Sequence, residues 1–79
     1  MKRVTLYMRK GCHLCEHVEG VLKTACGKTR FTLEMVDVDS DPELRERYGF
    51  EIPVVAINGV ASFRYDLNLD AFLNRLAQA

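Results

Sequence analysis

The fold of this chain is organised around the stretch Gly11-Cys12-His13-Leu14-Cys15. It follows a run of alternating character, Val4-Thr5-Leu6-Tyr7-Met8, that predicts a β-strand, and it precedes apolar residues spaced as on one face of a helix. Two cysteines separated by two residues approach within disulfide distance only where the backbone turns through about one helical turn. A Cys-x-x-Cys pair at a strand-to-helix junction therefore indicates a redox-active site more often than a structural one.

The composition describes a small chain with balanced charge. Its 79 residues leave room for one core, so we predict a single domain over residues 1–79. Eleven basic and eleven acidic side chains cancel, which argues against nucleic acid or a membrane surface as a partner. The apolar run after the N-terminus stops at Arg9-Lys10, too early for an export signal or a membrane span. We expect a monomer in the cytoplasm, where thiols are kept reduced.

The remaining patterns predict four strands and three helices. The expected strands cover residues 4–8, 31–38, 52–57 and 60–63. The expected helices cover residues 14–26, 42–48 and 69–76. Asn58-Gly59 predicts a type I′ hairpin turn, and Asn68 is the expected N-cap of the last helix. This βαβ-α-ββ-α order predicts an α/β fold, with a four-stranded mixed sheet that carries helices on both faces.

The first helix is expected to turn one apolar face to the core. Its members share helical spacing and are Leu14, Val18, Val21, Leu22 and Ala25. Cys26 lies roughly 21 Å along this helix from Cys12, at about 1.5 Å per residue. At that distance it cannot join the cysteine pair, so we expect Cys26 to pack as a small apolar residue.

The order of elements resembles the thioredoxin fold, because the Cys-x-x-Cys pair follows the first strand and Ile52-Pro53 opens the third. The short form of the chain resembles glutaredoxin, and in particular the small bacterial glutaredoxin-like proteins. The similarity covers essentially the whole chain. Its most specific parts are residues 7–15, 51–53 and 57–59.

The resemblance implies a role for five residues. Cys12 would be the attacking thiol and Cys15 the resolving thiol of a redox-active disulfide. Pro53 would be a cis-proline beside them, and the Ile52 backbone would pair with an extended substrate. Arg9 matches a basic residue that helps glutaredoxins hold a carboxylate of glutathione. The implied activity is reduction of protein or mixed disulfides, with electrons from glutathione, a reductase or a dithiol donor, and with no bound cofactor.

Three parts of the chain depart from the family pattern. His13-Leu14 replaces Pro-Tyr between the cysteines, and Glu51 replaces the threonine before the proline loop. Residues 61–66 lack the Gly-Gly with which glutaredoxins hold glutathione. The cysteines are thus kept while much of the glutathione site is lost. We expect residues 64–66 to form a solvated loop, with contact to a substrate as the alternative.

The expected position of Cys12 favours its thiolate form. At the start of a helix, free N–H groups and the positive end of the helix dipole stabilise a negatively charged sulfur. Arg9 and Lys10 add positive charge nearby, and His13 adds more when it is protonated. Cys15, one turn further on, is expected to be less exposed and to stay a thiol until it attacks the mixed disulfide.

Other functions stay open for the same residues. One is an iron–sulfur carrier, in which Cys12 from two copies and two glutathione molecules hold the cluster. Another is a non-catalytic module that binds a partner along the Ile52–Pro53 edge. A zinc site would need His17 to turn back towards Cys12 and Cys15, and the chain has no second Cys-x-x-Cys, so we expect no metal.

Overall fold

The computed structural model describes all 79 residues. The elements follow one another as β1 (Arg3–Met8), α1 (His13–Cys26), β2 (Thr32–Asp37), a 3₁₀ turn (Val38–Ser40), α2 (Pro42–Tyr48), β3 (Val54–Ile57), β4 (Val60–Arg64) and α3 (Leu69–Gln78). The longest helix, α1, has 14 residues, and no helix is long and apolar enough to cross a membrane.

The four strands form one mixed sheet in the order β2-β1-β3-β4. β1 lies parallel to β2, with α1 as the crossover between them, and antiparallel to β3. β3 and β4 form an antiparallel hairpin whose register shifts between Val55 and Ala56. The predicted α/β fold of thioredoxin type is therefore confirmed. Because β1 is central, the loop that leaves its carboxyl end is flanked by the loops of β2 and β3.

The two faces of the sheet are covered differently. α1 and α3 pack on one face, where Phe72 contacts Phe31 and Phe63 at centroid distances of 5.6 and 6.4 Å. The buried residues of this core are Val4, Leu6, Val18, Leu22, Ala25, Phe31, Val55, Ile57, Leu67, Phe72 and Leu76. α2 covers the other face, where Tyr48 stacks on Tyr7 of β1 at 4.5 Å. Helices thus lie on both faces, as predicted.

Local signals in the sequence set several element boundaries. Asn58 and Gly59 have φ values of 51° and 85°, the two positive angles of a type I′ turn. Asn68 Oδ1 accepts from the Ala71 N–H at 3.0 Å and caps α3. Asp41 caps α2 in the same way, through the Glu43 N–H at 2.9 Å. The turn at Asn58-Gly59 and the cap at Asn68 act within a few residues, so the sequence alone was enough to place them.

Two expectations for α1 are wrong. Leu14 is 54% exposed, and Cys15 is buried in its place. The inward face follows Cys15, Val18, Leu22 and Ala25, which leaves Leu14 at the edge of the first turn. Cys26 is also exposed rather than packed, because it ends the helix one position beyond Ala25 and so turns away from the core.

All four strands differ from their expected bounds: β1 begins one residue earlier, at Arg3, β4 ends one residue later, at Arg64, which was expected in a loop, and β2 and β3 are shorter. β2 ends at Asp37, whose side chain accepts from the Asp39 N–H at 2.8 Å and starts the 3₁₀ turn. Val38 is buried within that turn and does not extend the strand. β3 begins at Val54, so Ile52 and Pro53 belong to the loop before it. Both strands are therefore shorter than their apolar runs.

The core predicts different costs for two leucines on the same helix. Leu22 is fully buried, so Leu22→Ala should lower the free energy of unfolding by about 2–5 kcal/mol through lost burial and a cavity. Leu14→Ala, the matched exposed position, should change it by less than about 0.5 kcal/mol. Urea unfolding followed by circular dichroism measures both values. Equal losses for the two variants would contradict the assigned inward face.

Candidate redox site

The loop between β1 and α1 places Cys12 at the N-cap of the helix. Gly11 takes a left-handed conformation with φ 80°, which reverses the chain after β1. The Cys12 N–H then donates to the Arg9 carbonyl at 3.3 Å, and Cys12 Sγ accepts from the Cys15 N–H at 3.1 Å. The sulfur occupies the capping position that a serine or aspartate oxygen takes elsewhere. An N–H donor thus points at the sulfur, the arrangement used by reactive cysteines at helix N-termini.

Cys15 lies behind Cys12 and is shielded from solvent. It is 3% exposed, whereas Cys12 is half-exposed, and both thiols are free. Burial, followed by the hydrogen bond with Cys12, raises the pKa of the Cys15 thiol to about 11. At neutral pH Cys15 is therefore a neutral thiol next to the accessible sulfur. The two cysteines have different surroundings, which suits one attacking and one resolving thiol.

The guanidinium group of Arg9 binds a carboxylate of its own chain. Its Nε donates to Asp39 Oδ2 at 2.8 Å and its Nη2 to Asp39 Oδ1 at 3.0 Å. Arg45 also approaches Asp39, with Nε 3.3 Å from Oδ1. The hydrogen bond from Arg9 lowers the pKa of the Asp39 carboxyl group, and the same bond raises the pKa of Arg9. Arg9 Nη1 lies 3.5 Å from the Gly49 carbonyl, so the side chain joins the motif loop to the end of α2.

The loop of residues 49–53 runs beside the motif loop. β1 and β3 pair Tyr7 with Val54, which brings Pro53 next to the end of β1. The Ile52–Pro53 peptide bond is cis, and the Pro53 carbonyl accepts from the Tyr65 N–H at 2.8 Å. The N–H and carbonyl of Ile52 make no hydrogen bond within the chain. Ile52 therefore presents an unpaired donor and an unpaired acceptor.

The two histidines lie on the solvent side of α1. The His13 side chain is 97% exposed, with Nδ1 3.8 Å from Glu16 Oε2. His17 Nε2 lies 3.4 Å from Asp66 Oδ1, in the loop before α3. The structure does not bring either histidine together with the cysteines. No three His, Cys, Asp or Glu side chains form a group that could hold a metal ion.

The sequence reasoning missed two residues of this region, Asp39 and Phe50, and it did not foresee the backbone angle of Tyr65 in the expected loop of residues 64–66. Asp39 lies close to Arg9 because the register of β1 and β2 sets Met8 opposite Asp37. A correct prediction of that register would have brought Asp39 to the site. Phe50 is 94% exposed and stands directly before Glu51-Ile52-Pro53. It belongs to none of the apolar patterns from which the strands and helices were predicted. Tyr65 has φ 71°, a left-handed conformation unusual for a tyrosine. Nothing in the sequence predicts a positive φ at this tyrosine.

The fold and the cysteine pair define a thioredoxin-fold protein with a Cys-x-x-Cys motif at the start of its first helix. The chain belongs to the glutaredoxin-like domain family (DUF836), whose model matches residues 3–77.

Two solved structures at 28–30% identity share this architecture. A structural-genomics target protein from X. campestris is 28% identical, with 96% of this chain and 97% of that chain covered and a TM-score of 0.78. A protein from Nitrosomonas europaea is 30% identical, with 95% and 91% covered and a TM-score of 0.79. A thioredoxin mutant from Halobacterium salinarum is 20% identical, with 98% and 73% covered and a TM-score of 0.74, and shows the shared fold.

The buried Cys15 thiol predicts a loss of stability in alkali. The unfolded chain releases this proton near the ordinary value of 9.0, while the folded chain keeps it until about 11. Unfolding therefore becomes more favourable as pH rises between these values, by on the order of 2–3 kcal/mol in all. Urea unfolding of the reduced protein at pH 8 and pH 11 measures the decline.

The matched variants isolate the effect of this one thiol. Cys15→Ala should have a smaller decline than the parent chain, whereas Cys26→Ala, which removes an exposed thiol, should keep the full decline. An unchanged decline in Cys15→Ala would show that the thiol is not shielded as described.

Proposed function

We propose that this protein is a thiol–disulfide oxidoreductase that reduces protein or mixed disulfides through Cys12 and Cys15. The observation that carries the proposal is the asymmetry of the pair. Cys12 is half-buried and its Sγ accepts a hydrogen bond from the Cys15 N–H, whereas Cys15 is almost fully buried. The thioredoxin-type fold supports a redox role for such a pair, and the motif lies at the helix N-terminus that this chemistry uses.

The proposed reaction has two exchange steps. The Cys12 thiolate attacks one sulfur of the substrate disulfide, so a mixed disulfide forms and the other substrate sulfur leaves as a thiolate that takes up a proton. Cys15 then loses its proton and attacks Cys12 Sγ, which releases the second substrate thiol. Two electrons and two protons pass to the substrate, and the protein is left with the Cys12–Cys15 disulfide. Burial, the largest cause of the raised pKa of Cys15, opposes the loss of this proton, so the second step needs a base that accepts it.

The surroundings of the pair suggest how a substrate is held. The unpaired N–H and carbonyl of Ile52 would pair with an extended polypeptide, as an added strand does. Pro53 is buried and would form the wall beside the target disulfide. His13, next to Cys12 and almost fully exposed, would contact the substrate from the other side. Arg9 would act through the motif loop, which its ion pair with Asp39 holds in place.

The oxidised pair must be reduced before the next turnover. Two molecules of glutathione, or one dithiol protein or reductase, would supply the two electrons and two protons and restore both thiols. The cytoplasm is the compartment that holds such donors in reduced form. The proposal therefore joins a disulfide-containing substrate to a cellular thiol donor.

Cysteine variants test the proposal directly. Cys12→Ser should lower the rate of peptide-disulfide reduction by more than about 100-fold, because it removes the nucleophile of a covalent step. Cys15→Ser should stop after the first step, so mass spectrometry should detect a mixed disulfide on Cys12. Cys26→Ser is the control and should retain the full rate, since that exposed thiol lies at the far end of α1.

A Cys12→Ser protein that still reduces disulfides would contradict the proposal. Loss of chemistry together with retained cellular function would favour the partner-binding module instead.

A further inference from the structure

Three exposed apolar side chains lie on the segments that form the redox site. Leu14 is 54% exposed between the two cysteines, Phe50 is 94% exposed shortly before Pro53, and Tyr65 is 53% exposed beside it. Tyr65 is tied to the site through its N–H, which donates to the Pro53 carbonyl at 2.8 Å. We call Leu14, Phe50 and Tyr65 the apolar rim. The other exposed large hydrophobic residues, Met1, Met35 and Val60, lie away from this loop cluster.

The backbone of Tyr65 is strained in a way that a smaller residue would avoid. Its φ of 71° lies in the left-handed region, where a Cβ atom crowds the backbone and glycine fits without penalty. The only other non-glycine residue there is Asn58, in the type I′ turn that asparagine favours. Tyr65 thus has an unfavourable backbone conformation, and its large, half-exposed ring lies next to Pro53. Such strain at a site points to a role for the side chain.

Most charged side chains around the same site already form ion pairs within the chain. Arg9 binds Asp39 at 2.8 Å, and Arg64 binds Glu51 at 2.8 Å. His17 lies 3.4 Å from Asp66. Among the cations next to the motif, Lys10 is left without an ion pair.

Glutathione and an apolar polypeptide segment need different groups in a binding site. It carries two carboxylates and one ammonium group, and a site that binds it tightly must supply opposite charges. Here most of those charges would first have to leave their present partners. An apolar side chain, by contrast, needs only apolar surface to be buried against, and the three rim side chains are exposed.

We propose that the apolar rim selects polypeptide disulfides in which an aromatic or branched apolar residue stands two positions from the target cysteine. This inference rests on the proposed function and names its substrate class. Pairing with the free N–H and carbonyl of Ile52 fixes the substrate backbone, and the period of two in an extended chain then points alternate side chains at the protein. The residue two positions from the attacked cysteine points at the protein as that cysteine does, and it lies against Phe50 or Tyr65. Mixed disulfides with glutathione are poorer substrates.

Three matched substrates test the inference. The first is a peptide disulfide with phenylalanine two positions from each cysteine, the second is the same peptide with serine there, and the third is the serine peptide in mixed disulfide with glutathione. The measured quantity is kcat/KM, with dithiothreitol as the common reductant. We expect the phenylalanine peptide to exceed each of the others by about tenfold, within the range that apolar contacts give.

Variants of the rim should remove the preference. In Phe50→Ser and in Tyr65→Gly, the ratio between the phenylalanine and serine peptides should fall towards one. Tyr65→Gly also relieves the positive φ, so loss of folding is not expected to obscure its result. Val60→Ser is the matched control, since Val60 is 61% exposed at the start of β4, remote from the cysteines, and it should keep the full ratio.

The outcomes separate the inference from the proposed function. Equal rates for the three substrates, or a highest rate for the glutathione mixed disulfide, would overturn the selectivity and leave the oxidoreductase intact. No reduction of any substrate would overturn both. Sedimentation at micromolar concentration adds a further check, because a dimer that Phe50→Ser dissociates would make the rim an interface between two copies and overturn its role in substrate choice.

Discussion

The hydrogen bond from the Cys15 N–H to Cys12 Sγ is the contact on which the site depends. It caps α1, the longest helix, and it orders the two thiols along that helix. The atom that caps the helix, Cys12 Sγ, is also the proposed nucleophile, so one contact both begins the helix and positions the reactive sulfur. Cys15 is drawn into the core by the same turn, and its burial keeps it protonated. Helix geometry thus produces one half-buried and one fully shielded cysteine from two identical residues.

A second level of organisation comes from the ion pairs around the motif. Arg9, Asp39 and Arg45 connect the loop after β1 with the 3₁₀ turn and with α2. Glu51 and Arg64 connect the loop before β3 with the end of β4. Surface ion pairs such as these add little stability one by one. Their consequence here is that several charges near the cysteines, those of Arg9, Glu51 and Arg64, are already paired within the chain.

The accuracy of sequence reasoning followed the range of each interaction. The hairpin turn at Asn58-Gly59 and the helix cap at Asn68 were predicted correctly, because a turn and a cap are decided within a few residues. Leu14 and Cys26 were assigned to the core and are exposed. Helical periodicity predicts which residues share a face of a helix. It does not predict where the contact with the sheet ends, and Leu14 and Cys26, near the two ends of α1, lie outside that contact. The fold class could be predicted, and the surface of the site could not.

By itself, the sequence determined the order of strands and helices and the place of the cysteine pair at a helix start, since both follow from periodicity and local turn chemistry. Only the tertiary structure decided which carboxylate Arg9 binds, how deeply Cys15 is buried and which apolar residues surround the pair. Those features join segments that are distant along the chain, such as residues 9, 39 and 49. Their meeting depends on strand register and helix packing, and neither can be read from a single stretch of residues.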